Sequence, residues 1–124
     1  MKCRELQIYD WITDNNGFPM QITNVGDDYA YATFEGNEGD PWEFDNKDDQ
    51  PKPIPLTAEI LEKNGRWYAI EDLWLHDGVS FSIEKWNGKF QCYDISQIKL
   101  DSVNQLQHAL RLCGLDELAD NFKV

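Results

Sequence analysis

Apolar and polar residues alternate along several short stretches of the chain, and most of these stretches follow an Asn-Gly or Asp-Gly pair. Such pairs adopt positive φ at low cost, which the tight turn of a two-residue β-hairpin requires. Alternation of this kind is typical of a strand with one buried face. The four pairs are Asn16-Gly17, Asn64-Gly65, Asp77-Gly78 and Asn87-Gly88. The pattern therefore predicts a chain built of antiparallel hairpins.

The first 34 residues predict a β meander. Strand-like runs lie at residues 6–12, 20–23 and 29–34, and the polar segments 14–17 and 27–28 separate them. Three short strands this close together predict a small curled meander, which either stays open or closes into a barrel of SH3-like size.

Alternation is lost between residues 35 and 55, where acidic residues surround Trp42 and Phe44 and where prolines occupy positions 51, 53 and 55. Proline fixes φ and removes a hydrogen-bond donor, so alternate prolines favour polyproline II geometry without sheet partners. The sequence predicts a mobile, solvated acidic loop that ends in an extended connector. The spacing of its acids does not match a calcium-binding EF-hand loop, so no metal is predicted.

The second half of the chain combines a short helix, a sheet and a helical pair. Thr57 is placed to cap a helix that Asn64-Gly65 ends. A two-residue loop at Asn87-Gly88 would pair Trp86 with Lys89 and Ile83 with Cys92. Near the C-terminus, Ser-Val-Asn-Gln at residues 102–105 is a capping box that opens an apolar helical stripe.

These elements together predict a single α+β domain over residues 1–124, with antiparallel meanders, a short middle helix and a C-terminal helical pair. The expected order is a meander at 1–34, the acidic loop at 35–55, a helix at 57–64, an antiparallel sheet at 66–100 and helices at 102–122.

The chain is strongly acidic, with 23 acidic and 11 basic side chains and a net charge of -12. Twelve of the acidic but only three of the basic side chains lie in residues 1–50. Such a field repels phosphate backbones and anionic lipid, so direct binding to nucleic acid or to a membrane is not expected. Solubility is one reason for the charge, and imitation of a nucleic acid is the alternative.

Three cysteines, at positions 3, 92 and 113, are odd in number and widely spaced. They indicate neither a disulfide framework nor a zinc knuckle. Cys92 and Cys113 fall on predicted apolar faces, whereas Cys3 is expected to be exposed. No apolar run is long enough for a signal peptide or a membrane span, so the cytoplasm is the predicted compartment.

Candidate chemistry is weak throughout the chain. His76 and His108 stand in different predicted elements, and no Ser or Cys has the local sequence of an activated nucleophile. Phosphate-binding loops, dinucleotide-binding glycine patterns and metal-ligand spacings are absent from the sequence. The sequence therefore predicts no catalytic residue, no cofactor and no metal site.

Two large apolar side chains, Trp42 and Phe44, stand among acids where local sequence offers little reason for burial. Aromatic residues of this kind are good anchors for a protein interface. The predicted interaction residues are Trp42, Phe44, Asp45, Asp48 and Asp49.

Three blocks carry a resemblance: Glu-Leu-Gln-Ile at residues 5–8 with Trp11-Ile12, Pro-Ile-Pro-Leu-Thr-Ala-Glu-Ile-Leu at 53–61, and Val-Asn-Gln-Leu-Gln-His-Ala-Leu at 103–110. In this order they resemble a family of short, uncharacterised bacterial proteins often carried on prophages and other mobile elements of gut bacteria. The usual opening of that family has Arg and Gly where this chain has Gln7 and Tyr9. The family has no assigned activity, so the resemblance implies a shared fold and no site.

The expected function is that of a non-enzymatic accessory protein of a phage or mobile element that binds another, unidentified protein. An acidic nucleic-acid mimic that blocks a DNA-binding protein is the alternative. A hydrolase with paired carboxylates and aromatic platforms is a third hypothesis.

Overall fold

A computed structural model describes residues 2–14, 16–34, 36–37, 39–47, 51–93, 95 and 98–124. The chain divides into two compact units, Met1–Ile54 and Pro55–Val124. The predicted class is confirmed, because the structure is α+β with two antiparallel sheets and a curled N-terminal sheet. That residues 1–124 form one domain stays a prediction.

The N-terminal unit opens with a 3-10 turn at Cys3–Glu5 and continues as one antiparallel sheet. Its strands are β1 (Trp11–Thr13), β2 (Pro19–Val25), β3 (Tyr29–Thr33), β4 (Trp42–Asp45) and β5 (Lys52–Pro53), in the spatial order β4-β3-β2-β1-β5. The sheet curls into a half-barrel, which agrees with the predicted small curled meander. A register shift between Ile22 and Asn24 of β2 adds local twist of the kind that β-bulges produce.

One face of this sheet forms the core of the N-terminal unit. Ile12, Ile22, Ala30 and Ala32 are completely buried there. Cys3 is also completely buried, so the expectation that it is exposed is wrong. The short N-terminal turn places Cys3 against the sheet, and the Asn46 side chain accepts a 2.8 Å hydrogen bond from the Cys3 N–H.

The prediction of a solvated loop over residues 35–55 is wrong for the described part of that segment. Residues 42–45 form β4, which pairs with β3 and buries the Phe44 side chain. Lys52 and Pro53 pair with Thr13 and Ile12, so the proline-rich connector has sheet partners. Proline is compatible with this position because β5 is an edge strand. Apolar-polar alternation at Trp42-Glu43-Phe44-Asp45 determined the fold of this segment in spite of its charge.

The C-terminal unit holds a second antiparallel sheet, with one helix before it and two helices after it in the chain. Its elements are α1 (Ala58–Lys63), β6 (Trp67–Ile70), β7 (Leu73–His76), β8 (Ser82–Trp86), β9 (Lys89–Cys92), α2 (Val103–Leu112) and α3 (Asp116–Asp120), and the sheet has the order β6-β7-β8-β9. The predicted hairpin register is confirmed, because Trp86 pairs with Lys89 and Ile83 with Cys92. Asn87 and Gly88 have φ of 51° and 78°, as the two-residue turn requires.

The predicted helix starts are also confirmed. The Thr57 hydroxyl accepts a hydrogen bond from the N–H of Ile60, and Ser102 and Gln105 form the capping box of α2. Cys92 is buried as expected, but Cys113 is exposed, because it follows the last turn of α2.

Helices α2 and α3 pack against each other. The side-chain amide of Gln107 donates a 3.0 Å hydrogen bond to the carbonyl of Ala119, and Arg111 forms a 3.2 Å ion pair with Asp120. Within the described ranges, no helix is both long enough and apolar enough to cross a membrane.

Candidate functional site

The predicted interaction residues occupy different environments in the N-terminal unit. Phe44 is only 2% exposed, so it is a core residue and cannot be an exposed anchor. Trp42 is half-buried and Asp45 is exposed. Asp48 and Asp49 lie outside the described residues. An interaction role for Trp42 and Asp45 stays a prediction, and the structure adds a cleft beside Trp42.

A cleft of about 340 Å³ opens at one end of the curled sheet. It is lined by Asp14, Asn16, Met20, Phe34 and Trp42. These residues come from the β1–β2 turn, from β2, from the end of β3 and from the start of β4. The cleft therefore combines aromatic walls with a carboxylate and a carboxamide, a mixture typical of binding sites.

Asp14 is held in place by the turn that contains it. One carboxylate oxygen, Oδ1, accepts hydrogen bonds from the N–H groups of Asn16 at 2.8 Å and of Phe18 at 2.9 Å. The N–H of Asp14 also donates to the carbonyl of Phe18 at 3.2 Å. The second oxygen, Oδ2, accepts no hydrogen bond from the described residues and is available to a ligand.

The aromatic walls are held by neighbouring rings. The rings of Phe34 and Phe18 pack edge to face, with their centroids 5.0 Å apart. The rings of Trp42 and the buried Phe44 are tilted relative to each other, and their centroids are also 5.0 Å apart. Trp42 stands opposite Ala32 across β3 and β4, where the small alanine leaves room for the indole. The buried Phe44 ring therefore helps to hold the Trp42 ring in position.

A further hydrogen bond fixes the end of β3. The N–H of Phe34 donates a 2.7 Å hydrogen bond to the side-chain oxygen of Asn37, and the N–H of Asn37 donates a 3.1 Å hydrogen bond to the carbonyl of Phe34. This closed turn places Phe34 at the edge of the cleft. The position of the ring is thus determined by the backbone as well as by packing.

Sequence reasoning identified Trp42 but missed Asp14, Asn16, Met20 and Phe34. The local signal at Asp14 was present, because an Asp two residues before an Asn-Gly turn is a common turn-forming residue. Nothing local indicates that Phe34 and Asp14 line the same cleft as Trp42, since the successive pairing of β1 with β2, β2 with β3 and β3 with β4 brings them together.

The outer face of β4 carries a second acidic feature. Glu43 and Asp45 are exposed and stand opposite Tyr31 and Tyr29 of β3. The Glu43 carboxylate raises the pKa of Tyr31 above its ordinary value of 10.0, mainly because the two negative charges would repel each other.

The C-terminal unit has two adjoining clefts of about 470 and 300 Å³, and Arg66 and His76 line both. His76 Nδ1 accepts a 2.9 Å hydrogen bond from the N–H of Gly78, which leaves Nε2 to carry the proton of the neutral ring. Burial lowers the pKa of His76 and Arg66 lowers it further, whereas Asp77 acts in the opposite direction.

These C-terminal clefts are lined by Lys63, Asn64, Arg66, His76, Gly78, Val79, Gly114, Leu115, Glu117, Leu118, Asn121 and Lys123. None of these residues has a hydroxyl or thiol that could act as a nucleophile beside the imidazole. Across the described ranges, no group of three His, Cys, Asp or Glu side chains is arranged to hold a metal ion.

Comparison with known proteins finds no matching family model, no similar curated protein and no similar solved structure. The resemblance to the bacterial family of mobile elements therefore stays a prediction. The clefts of the two units are therefore the features from which a function can be inferred.

Proposed function

We propose that this protein acts by binding another protein, and that the aromatic cleft of the N-terminal unit is the contact site. The observation that supports this proposal is the cleft of about 340 Å³ between Trp42, Phe34 and Asp14. Trp is strongly enriched among the residues that dominate binding energy, and such residues cluster in well-packed pockets from which the partner excludes water. Trp42 is half-buried and lines the cleft, so a partner that fills the cleft would cover the rest of its ring.

The experiment is capture of partners from a lysate of the bacterial host, with the intact chain and with Trp42→Ala as baits. Phe44 stays unchanged in both baits, because removal of this buried ring would disturb the fold instead of the surface. We expect at least one protein to be captured by the intact chain and lost with Trp42→Ala. Circular dichroism of each bait checks that the fold is retained.

Trp86→Ala is the matched control. Trp86 is 61% exposed on the second sheet, so its removal takes away the same ring from a different surface. A protein that is captured by Trp86→Ala but not by Trp42→Ala supports the cleft as the contact site. Identical profiles for Trp42→Ala and the intact chain would contradict the proposal, and loss with Trp86→Ala alone would move the interface to the second sheet.

We further propose that the protein acts in the cytoplasm and without catalysis. The cysteines are odd in number and widely spaced, which supports a reducing compartment, and the described residues that line the C-terminal clefts offer His76 no hydroxyl or thiol nucleophile. An origin on a phage or mobile element is a proposal that depends on the sequence resemblance, and the neighbouring genes would test it.

A nucleic-acid mimic is the second candidate. Glu43 and Asp45 support it, because both are exposed on the outer face of β4. They are two residues apart along a strand, which separates them by roughly 7 Å. A mimic should displace DNA from a host DNA-binding enzyme at low salt and lose this ability at high salt. If Glu43→Gln plus Asp45→Asn leaves the displacement unchanged, β4 is not the mimicking surface.

A further inference from the structure

We propose that the aromatic cleft binds a basic side chain of its partner, with arginine preferred over lysine. This inference rests on the proposed function, because it names the chemistry of the partner group that enters the cleft. The occupant is therefore a positively charged side chain in an exposed segment of another protein.

The charge around the cleft favours a cation. Asp14 presents the carboxylate oxygen that no described residue uses, and its position is set by the hydrogen bonds to Asn16 and Phe18. Residues 1–54 carry twelve acidic and only four basic side chains. This charge raises the local concentration of cations and opposes the entry of an anion. None of the described residues that line the cleft is basic.

The aromatic walls add a second attraction for the same ligand. A cation that lies over the face of a Trp or Phe ring is attracted by the negative charge of the ring face. Trp42 and Phe34 both line the cleft, and neither is fully buried. A neutral apolar side chain would gain from these rings as well, but it would bring no hydrogen-bond donor to Asp14 Oδ2. A cation that donates hydrogen bonds is attracted both by the rings and by the charge of the carboxylate.

The acceptors in the cleft favour arginine over lysine. A guanidinium group is planar, stacks on aromatic faces and donates hydrogen bonds in several directions within its plane. Asp14 and Asn16 stand two residues apart in one turn and can supply carboxylate and carboxamide oxygens to such a group. A lysine ammonium is a compact charge that is more strongly hydrated, so it gains less from the rings.

The experiment measures binding of blocked Gly-Arg-Gly, Gly-Lys-Gly and Gly-citrulline-Gly tripeptides to the full chain by two-dimensional NMR. Citrulline has nearly the shape of arginine but no charge. The reporters are the indole N–H of Trp42 and the backbone N–H of Phe18, which donates to Asp14. We expect the arginine peptide to shift both signals at the lowest concentration, the lysine peptide at a higher one, and the citrulline peptide to shift neither.

Variants locate the site. Asp14→Asn removes the charge but keeps an oxygen that can accept from the N–H groups of Asn16 and Phe18, and we expect affinity for the arginine peptide to fall about threefold to tenfold. Asp40→Asn is the control, because Asp40 is exposed in the same unit and does not line the cleft. Trp42→Leu should weaken binding by about threefold or more, and Trp42→Phe should retain most of it.

Several results would overturn the inference. Equal shifts with arginine and citrulline would show that charge is not recognised, and equal losses in Asp14→Asn and Asp40→Asn would show that only the overall charge matters. Absence of shifts with every peptide at millimolar concentration would show that the cleft takes no basic side chain.

This experiment is independent of partner capture, so the two proposals can fail separately. If the peptides do not bind but Trp42→Ala loses a captured protein, the contact site stands and its chemistry is wrong. If the arginine peptide binds but the capture profiles are identical, the cation site stands and the proposed function is wrong.

Discussion

The two units of this protein expose aromatic residues in different ways. In the N-terminal unit, Phe18, Phe34 and Trp42 gather around one end of a curled sheet, and Phe34 and Trp42 line a cleft with a carboxylate. In the C-terminal unit, exposed rings such as Tyr68 and Trp86 stand on the strands themselves and do not line the two clefts beside His76. The number of exposed rings is thus a poor guide to a site, and their arrangement around a concave surface is a better one.

The difference follows from how each unit buries its core. The C-terminal unit has helices α2 and α3, which supply fully buried side chains such as Leu106 and Leu110. The N-terminal unit has no α-helix among its described residues, so its sheet encloses the core by curling. Inside this curled sheet Ala30 and Ala32 pack with larger buried residues such as Phe44, while the Phe34 and Trp42 rings stay half-buried.

The largest expected effect tests whether the acidic segment belongs to a packed core. Phe44→Ala should lower the free energy of unfolding by about 3 to 5 kcal/mol, because a buried ring is replaced by a cavity. Phe18→Ala is the matched control, and since Phe18 is 51% exposed we expect a loss of about 1 kcal/mol or less. Denaturant unfolding measures both. Equal and small losses would restore the prediction of a solvated loop.

The corresponding change in the C-terminal unit is Leu110→Ala. Leu110 is completely buried, so we expect a loss of about 2 to 5 kcal/mol. Leu112 in the same helix is 72% exposed, and Leu112→Ala should cost about 0.5 kcal/mol or less. If residues 1–124 form one domain as predicted, Leu110→Ala and Phe44→Ala will shift a single shared transition. Two transitions, each sensitive to one variant, would show that the units unfold independently.

A smaller loss of stability is expected from glycine substitutions in the turns of the two units. Gly88 has φ of 78° in the β8–β9 turn, so Gly88→Ala should cost about 1 to 2 kcal/mol. Gly39 of the N-terminal unit has no positive φ, and a Cβ there would meet no atom within 4 Å. Gly39→Ala should therefore change the stability by about 0.5 kcal/mol or less. Thermal unfolding of the two variants compares them, and equal losses would contradict the tight-turn geometry at Gly88.

The smallest effect concerns pH. The pKa of His76 is lowered from 6.5 in the folded chain, so the unfolded chain binds this proton more readily. Stability should therefore fall as pH drops through 6.5 toward the lower pKa of the folded state, and the effect should vanish above this window. His76→Asn keeps an acceptor for the Gly78 N–H but cannot take up the proton, so its stability should decline less steeply between pH 7.5 and 5.5. An NMR titration that places the pKa of His76 above 6.5 would contradict the prediction.

Much of the fold could be predicted because the deciding signals are local. The hairpin at Asn87-Gly88 and the capping box of α2 depend on residues within a few positions of each other, and both were confirmed. The loop prediction is wrong at residues 42–45 because Trp42 and Phe44 alternate with Glu43 and Asp45, and this alternation outweighs the density of acids in the segment. The alternation had more influence on the fold, because a solvated charge on the outer face of an edge strand has little energetic cost.

The candidate site could be predicted only in part. Trp42 was identified because it is a large apolar residue in a polar segment. Asp14 could not be predicted because its place beside the same cleft as Trp42 depends on the successive pairing of β1, β2, β3 and β4. Phe34 lies near Trp42 through the pairing of β3 with β4 alone, and the prediction of a loop over residues 35–55 excluded that pairing.

The sequence by itself determined the antiparallel class, the turn at Asn87-Gly88, the helix caps and the strong negative charge, because each depends on neighbouring residues or on composition alone. The tertiary structure decided that Phe44 is a core residue and that Cys3 is buried while Cys113 is exposed. It also decided that Asp14 and Trp42 share a cleft. Burial and concavity depend on which segments pack together, and that information is present in each folded unit and not in any single stretch of the chain.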